Sequence, residues 1–348
     1  MNEPQSFIAA APPTPSPQDV MMQMWMDMCR ALAVAAAARL GIADALATSS
    51  PQESAALARA VGVDATALTR LLRTLVSLGL LAQPHPHMYA LTSLGAVLRS
   101  DVPGSMRDLL IAVTDTPHVQ AWSKLHESVS SGQPMVPALF GMPIFAYYAA
   151  HPDELASFSR AMGNLSALAA QGTVHHYDFS HAQHIVDVGG AHGDLVLTIL
   201  HANPHAHGTV FDLPHVADAA RQAIATQGYA GRCKALGGDF FQAVPPGGDV
   251  YMLKLIVHDW PDTEVLRILH NCRAVMPPDG TLLVIEMVIP DDHHLSPAHL
   301  SDLNMLVMTG GQERTVQEYD ALLAQAGFRL TRLIPTGSPY DVLEAIVV

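Results

Sequence analysis

The chain has 348 residues, 49% hydrophobic and 14% charged, a composition that excludes wholesale disorder and suits two globular domains. Its formal net charge of −14 opposes a phosphate backbone and argues against nucleic acid as a substrate. Three scattered cysteines (Cys29, Cys233, Cys272) exclude a disulfide framework and suit a reducing cytoplasm, and no apolar run reaches the roughly 18 residues of a membrane span.

Residues 1–19, with Pro12, Pro13, Pro15 and Pro17, read as a disordered tail without the basic start and apolar stretch of a secretory signal. Residues 20–100 read as helical. Met21, Met22, Met24, Trp25, Met28 and Cys29 make a broadly apolar helix that has to be buried in this chain or against a partner, and a dimer seam is the favoured reading. Ser54–Ala58, Gly62-Val63-Asp64 and Ala67–Leu75 form a helix, a turn and a second helix, and Gly79 to Thr92 forms a short hairpin or wing. Such a winged helix invites a DNA-binding reading. Its presumed recognition helix carries Arg70 and Arg73, but Asp44, Glu53 and Asp64 flank it and leave no phosphate-anchoring face. The module therefore suits dimerisation and covering of a substrate site. Residues 101–180 form a helical linker, with Trp122, Phe140, Phe145, Tyr147, Tyr148 and Phe158 as core and 134–143 as a loop between helices.

From His184 the pattern becomes strand, glycine turn, helix, repeatedly. Strands are predicted at 185–188, 209–211, 250–257 and 280–288, with helices at 195–201, 216–226, 263–276 and 316–326, and a closing antiparallel pair at 328–335 and 342–348. That alternation predicts an α/β domain over 181–348, a mainly parallel sheet with helices on both faces.

Ligands of such sheets bind beyond the carboxyl ends of the strands, so the residues there matter most. The first strand runs into Asp187-Val188-Gly189-Gly190-Ala191-His192-Gly193-Asp194, a glycine turn without dinucleotide spacing or a phosphate-loop lysine. Asp212 at the second strand end suits the two hydroxyls of a ribose, and Asp239 with Phe240 suits an adenine. Together these describe an adenosine site without phosphate contacts. The run Val250 to Val257 ends in His258-Asp259-Trp260, placing an imidazole at that edge as a candidate general base. The bland alternative, with 19 histidines in the chain, is a loop cap.

Ile185 to Gly193, Phe211 to Pro214, Gly237 to Phe240, Leu253 to Pro261 and Gly310-Gly311-Gln312-Glu313-Arg314-Thr315 resemble, in order and spacing, the S-adenosylmethionine-dependent O-methyltransferases of the plant caffeic acid type and their bacterial natural-product relatives. The resemblance covers residues 20–348. It implies a Rossmann-like class I methyltransferase domain with an N-terminal, all-helical winged-helix dimerisation domain, a homodimer, and S-adenosylmethionine as cofactor with S-adenosylhomocysteine as product. It implies Gly189 at the methionine portion, Asp212 on the ribose, Asp239 and Phe240 at the adenine with Trp260 nearby, Lys254 at the adenosyl group and Ser166 at the cofactor's carboxylate or amine. It implies Phe158 and Met162 as substrate-cradling residues; Met162, Met305 and Met308 together suit a flat apolar ligand. Ala191 departs from the usual third glycine, a cheap change only where φ is negative.

Methyl transfer from a sulfonium needs alignment and an activated nucleophile. A phenol with pKa near 10 lies about 3.5 units above an ordinary imidazole, or roughly 5 kcal/mol of proton transfer. Carboxylates that stabilise imidazolium narrow the gap. Glu286 ends the strand Leu282 to Ile285, and Glu313 lies in a glycine-led turn; the resemblance implies that both bracket His258. The bland reading of Glu313 is an acid at a helix N-terminus before the N-cap Thr315. Asp259 is a helper or a cap. His175-His176, His293-His294 and His85/His87 lack ligand geometry, and no metal is expected. The expected activity is methylation of a phenolic or similarly acidic hydroxyl on a small aromatic or polyketide-like molecule. The alternatives are N- or C-methylation of a similar scaffold, a winged-helix DNA-binding regulator, or a nucleotide-binding dehydrogenase.

Overall fold

The computed structural model describes residues 15–48, 50–292 and 294–348, which fall into two compact units divided between Thr114 and Asp115. The first unit opens with helix α1 (Pro17–Arg39), capped by a reciprocal Ser16–Asp19 box with Pro17 in the first turn. That cap starts the helix inside the expected tail 1–19, whose residues 1–14 lie outside the described residues. Then follow α2 (Ile42–Thr48), β1 (Gln52–Glu53), α3 (Ser54–Val61), α4 (Ala65–Ser77), β2 (Leu81–His85), β3 (Met88–Leu91), α5 (Ser93–Ala96) and α6 (Arg107–Ala112). The expected helix, turn, helix and wing are present, with β1-β3-β2 as the wing sheet. Ile42, Leu46, Leu57, Leu72, Leu75 and Tyr89 form the core. The unit extends past the expected boundary at 100 because Arg39 of α1 donates to the Ile111 carbonyl of α6 at 2.7 Å. Met21, Met22, Met24, Trp25 and Met28 on α1 are more than half exposed. Among the described residues no single helix is long and apolar enough to cross a membrane; α1 and α2 pass that test only jointly, across a 51° bend.

The second unit begins with α7 (Thr116–Ser123), α8 (Leu125–Ser131), α9 (Met135–Phe140), α10 (Ile144–Ala150) and α11 (Pro152–His176). The stretch expected as a loop at 134–143 contains α9, bracketed by Pro134 at its N-cap and Gly141 at its C-cap with φ 75°. His175 and His176 end α11, within the region expected to be helical. The α/β part follows with β4 (His184–Val188), α12 (Asp194–Ala202), β5 (His207–Asp212), α13 (Pro214–Thr226), β6 (Cys233–Gly237), β7 (Val250–Lys254), α14 (Asp262–Val275), β8 (Thr281–Glu286), β9 (Val288–Ile289), α15 (Pro297–Met308), β10 (Arg314–Thr315), α16 (Val316–Gln325), β11 (Phe328–Ile334) and β12 (Asp341–Val347). Strand β6 and helix α15 were not among the predicted elements.

Seven described strands form one sheet in the order β11-β12-β8-β7-β4-β5-β6. Strands β6, β5, β4, β7 and β8 run parallel and β12 and β11 antiparallel, as the alternation and the closing pair predict. All five residues of β7 are buried, the mark of a central parallel strand covered on both faces. One core holds Ile185, Leu195, Val210, Met252 and Ile285; the other holds Val186, Val188, Leu253, Leu269 and Val284. Alternate residues of the same strands feed both cores, which fixes the register and brings Val188, Asp212, Lys254 and Glu286 to one sheet edge.

Candidate active site

The turn after β4 lies tightly against its neighbours. Gly189 has φ 72°, donates its N–H to the Phe211 carbonyl at 2.8 Å, and a Cβ there would meet the Ile256 side chain at 2.4 Å. Ala191 has φ 49°, so the condition for its cheap replacement of glycine fails: an L-residue is held in the left-handed region. Its N–H donates to Asp212 Oδ2 at 2.9 Å, while Asp212 Oδ1 accepts from the Leu213 N–H at 2.7 Å. The acid at the end of β5 is thereby aimed across the turn. Beneath it sits Asp187, 1% exposed, with neither carboxylate oxygen hydrogen-bonded. Burial, opposed by the Lys254 charge, raises its pKa to about 6. Its role was not read from the sequence, although an acid inside the apolar run Ile185 to Val188 is a signal that it has one.

Asp239 is held by the Phe241 N–H at 2.9 Å. Phe240 meets Trp260 edge-on at 6.4 Å, and Phe241, which the sequence reading did not single out, joins them at 4.8 Å from both. Lys254, 8% exposed, donates to Ser166 on α11 at 2.5 Å. Two predicted cofactor residues 88 positions apart are therefore in contact.

The strand predicted to run to Val257 stops at Lys254 because Leu255 adopts φ 56°, a turn conformation costly for a bulky residue. The chain then enters a 3₁₀ turn, Val257–Asp259, which carries His258. Glu286 Oε1 accepts the N–H groups of Ile256 at 3.0 Å, Val257 at 2.8 Å and His258 at 3.3 Å. Its Oε2 lies 3.4 Å from His258 Nδ1. Glu313 Oε1 lies 2.9 Å from the same nitrogen and accepts from Ser301 Oγ of α15 at 2.7 Å. The helix-end role considered for Glu313 belongs to Glu318, which closes a capping box with Thr315.

Nδ1 is thus directed at carboxylates, leaving Nε2 as the nitrogen able to exchange a proton with a ligand. Asp259 Oδ1 is 3.9 Å from Nε2, within ion-pair range but beyond a hydrogen bond. Burial alone would lower the imidazole pKa. The charges of Glu286 and Asp259, with the hydrogen bond and charge of Glu313, override it and raise His258 to about 10. Burial raises Glu286 to about 7, against the pull of His258. The imidazole therefore takes up a proton before that carboxylate does. Donor atoms of His258, Glu286 and Glu313 lie within 4.8 Å of one another, a spacing that metal sites share. An ion about 2.0–2.2 Å from each donor would have to displace the 2.9 Å hydrogen bond.

The expected substrate wall is assembled in part. Phe158 of α11 stacks on Tyr148 with centroids 4.4 Å apart, and Met308 packs into the same core at 3% exposure, so it is core rather than a free surface. Met162 and Met305 are half-buried on α11 and α15. Trp122 Nε1 donates to Asn304 at 2.9 Å and ties α7 to α15.

Residues 122–329 match the family model of the O-methyltransferase domain, and residues 22–101 that of the O-methyltransferase dimerisation domain. The chain is 40% identical over 308 residues to a phenazine O-methyltransferase of Lysobacter antibioticus, covering 88% of this chain and 90% of that one. It is 35% identical to a phenazine-1-carboxylate N-methyltransferase of Pseudomonas aeruginosa, covering 85% and 87%. Among solved structures it resembles a mitomycin 7-O-methyltransferase with a TM-score of 0.88 and 34% identity, covering 95% and 98%. An O-methyltransferase from neocarzinostatin biosynthesis, solved with S-adenosylmethionine and 2-hydroxy-5-methyl naphthoic acid, matches with a TM-score of 0.78 and 33% identity, covering 91% and 96%.

Proposed function

The chain belongs to the O-methyltransferase family, and from that premise we propose that it methylates a phenolic hydroxyl of a small aromatic or polyketide-like molecule, with S-adenosylmethionine as methyl donor and His258 as general base. Bound there, the cofactor supplies a methyl carbon activated by a sulfonium, so departure of the thioether needs no acid. The residues fit it. The backbone at Gly189 serves the methionine portion, and the unpartnered Asp187 oxygens can accept from its ammonium. Asp212 takes the ribose hydroxyls, and Asp239, Phe240 and Trp260 surround the adenine. Lys254 serves the adenosyl group and Ser166 the carboxylate or amine.

The observation that carries the base assignment is His258 Nδ1 at 2.9 and 3.4 Å from two buried carboxylates. Together with Asp259, and against burial, they raise the imidazole to about 10, level with a phenol near 10. From the neutral imidazole, the form that accumulates as pH rises towards about 10, the proton moves from the hydroxyl to Nε2 at almost no cost, where an ordinary imidazole faces roughly 5 kcal/mol. Phe158, Met162 and Met305 hold the ring so that the oxygen meets the methyl carbon in line, and such alignment contributes as much as about 7–11 kcal/mol. No step requires a metal ion.

The test is incubation of the purified protein with S-adenosylmethionine and a panel of hydroxy-aromatics, reading methyl ethers by mass spectrometry. His258→Ala should abolish turnover; a folded variant with wild-type rate refutes the base. The P. aeruginosa relative supports a second reading, N-methylation, which the same experiment detects on aminophenols as the N-methyl product. The apolar face of α1, more than half exposed, supports homodimerisation through residues 20–100, with 101–180 covering the substrate and 181–348 carrying the cofactor.

A further inference from the structure

Arg314 is 1% exposed, yet no part in the reaction falls to it above. A guanidinium has five N–H donors in a planar fork. All five are engaged: Nε to Asp262 Oδ1 at 3.1 Å, Nη1 to the carbonyls of Val257 at 3.2 Å and Gln312 at 3.1 Å, and Nη2 to the Trp260 carbonyl at 3.1 Å and Asp262 Oδ1 at 2.7 Å. Its carbon lies 5.9 Å from the Tyr319 ring centre. No donor remains for a ligand. Two of its acceptors, the carbonyls of residues 257 and 260, flank His258.

The other backbone groups of that turn are held from the same side and from β8. The Gln312 N–H donates to the His258 carbonyl at 2.9 Å, and Glu286 Oε1 takes the N–H groups of residues 256–258. This close approach requires Gly311, where a Cβ would lie 2.0 Å from the His258 carbonyl oxygen. Glu313 sits between Gln312 and Arg314, so the clasp that holds the His258 turn also delivers the carboxylate that meets Nδ1.

We propose that Arg314 is a positioning residue for the methyl-transfer base: its fork sets the turn carrying His258 and the segment carrying Glu313 in one register, and that register makes the 2.9 Å imidazole–carboxylate bond. The proposal rests on His258 being the base. A lysine keeps the charge but lacks the fork and cannot span three carbonyls and a carboxylate.

The experiment compares wild type, Arg314→Lys, Asp262→Ala and His258→Ala on one phenolic acceptor from the hydroxy-aromatic panel, measuring kcat, KM and the pH dependence of kcat/KM, with folding checked by circular dichroism. Misplacing a reacting group by about 1 Å costs on the order of 100-fold, so Arg314→Lys should lower kcat by about that factor. Its kcat/KM inflection should also fall by at least about one pH unit, as the imidazole loses its carboxylate partner. A merely structural role would reduce the active fraction without moving the inflection. Folded Arg314→Lys with an unchanged inflection overturns the proposal. If Arg314→Lys does not fold, Asp262→Ala decides: the carboxylate is 58% exposed and its Oδ1 accepts two of the five bonds, which alanine removes, so a lowered kcat with a lowered inflection supports the clasp and wild-type values overturn it. Wild-type activity in His258→Ala instead removes the base itself. Loss in His258→Ala with no change in either clasp variant refutes the clasp alone.

Discussion

Glu313→Gln isolates the charge of the carboxylate nearest the imidazole. Glutamine keeps an oxygen able to accept from His258 Nδ1 and Ser301 Oγ, whose present contacts are 2.9 and 2.7 Å, so geometry is conserved while one negative charge is lost. The full rise of His258 from 6.5 to about 10 corresponds to roughly 5 kcal/mol favouring imidazolium, shared among Glu286, Asp259 and Glu313 against the penalty of burial. An opposite charge at this range shifts a pKa by about 1–3 units, so the loss should lower His258 by roughly 1–2 units. The sign follows from the raised value. Below the inflection the imidazole is protonated and cannot accept a proton, so wild-type kcat/KM climbs with pH towards about 10. In Glu313→Gln the climb should end near pH 8–9, at a plateau roughly tenfold lower because the weaker base no longer matches the phenol. The assay is initial-rate kcat/KM for a phenolic acceptor from pH 6.5 to 10.5 at saturating S-adenosylmethionine. An inflection that stays in place, or moves up, refutes the reasoning that carboxylate charge sets the base.

Ala191→Gly should stabilise the protein by about 0.5–1 kcal/mol, the relief of a left-handed alanine less the entropy of glycine in the unfolded chain, seen as a melting temperature about 2 °C higher. A lower melting temperature would contradict the φ of 49°. Asp187→Asn should weaken S-adenosylhomocysteine about tenfold by calorimetry, since the unpartnered carboxylate can accept from the cofactor ammonium; unchanged affinity removes that role. Trp25→Glu, on the exposed apolar face of α1, should convert a dimer to a monomer in light scattering, and a persistent dimer would place the seam elsewhere.

Much of the fold was legible because its causes are local. Alternating strand and helix patterns from residue 184 specify a parallel sheet, and a parallel sheet collects its strand ends at one edge. From that rule alone Gly189, Asp212 and His258 share a neighbourhood. Helix α15 was missed, although Ser296-Pro297 is a readable N-terminal signal, and so was α9 between Pro134 and Gly141. The tertiary structure decided what no window of sequence contains. It ended β7 at Lys254 through a left-handed Leu255 and turned His258 onto a 3₁₀ turn. It showed that Glu286 holds that turn by its backbone as well as facing the imidazole, and that Arg314 closes the clasp. It also held Ala191 where glycine was the expected residue. Periodicity and capping act over a few residues and can be read in order. A hydrogen bond between His258 and Glu313, 55 positions apart, depends on two loops approaching within 3 Å, and only the packed sheet brings them there.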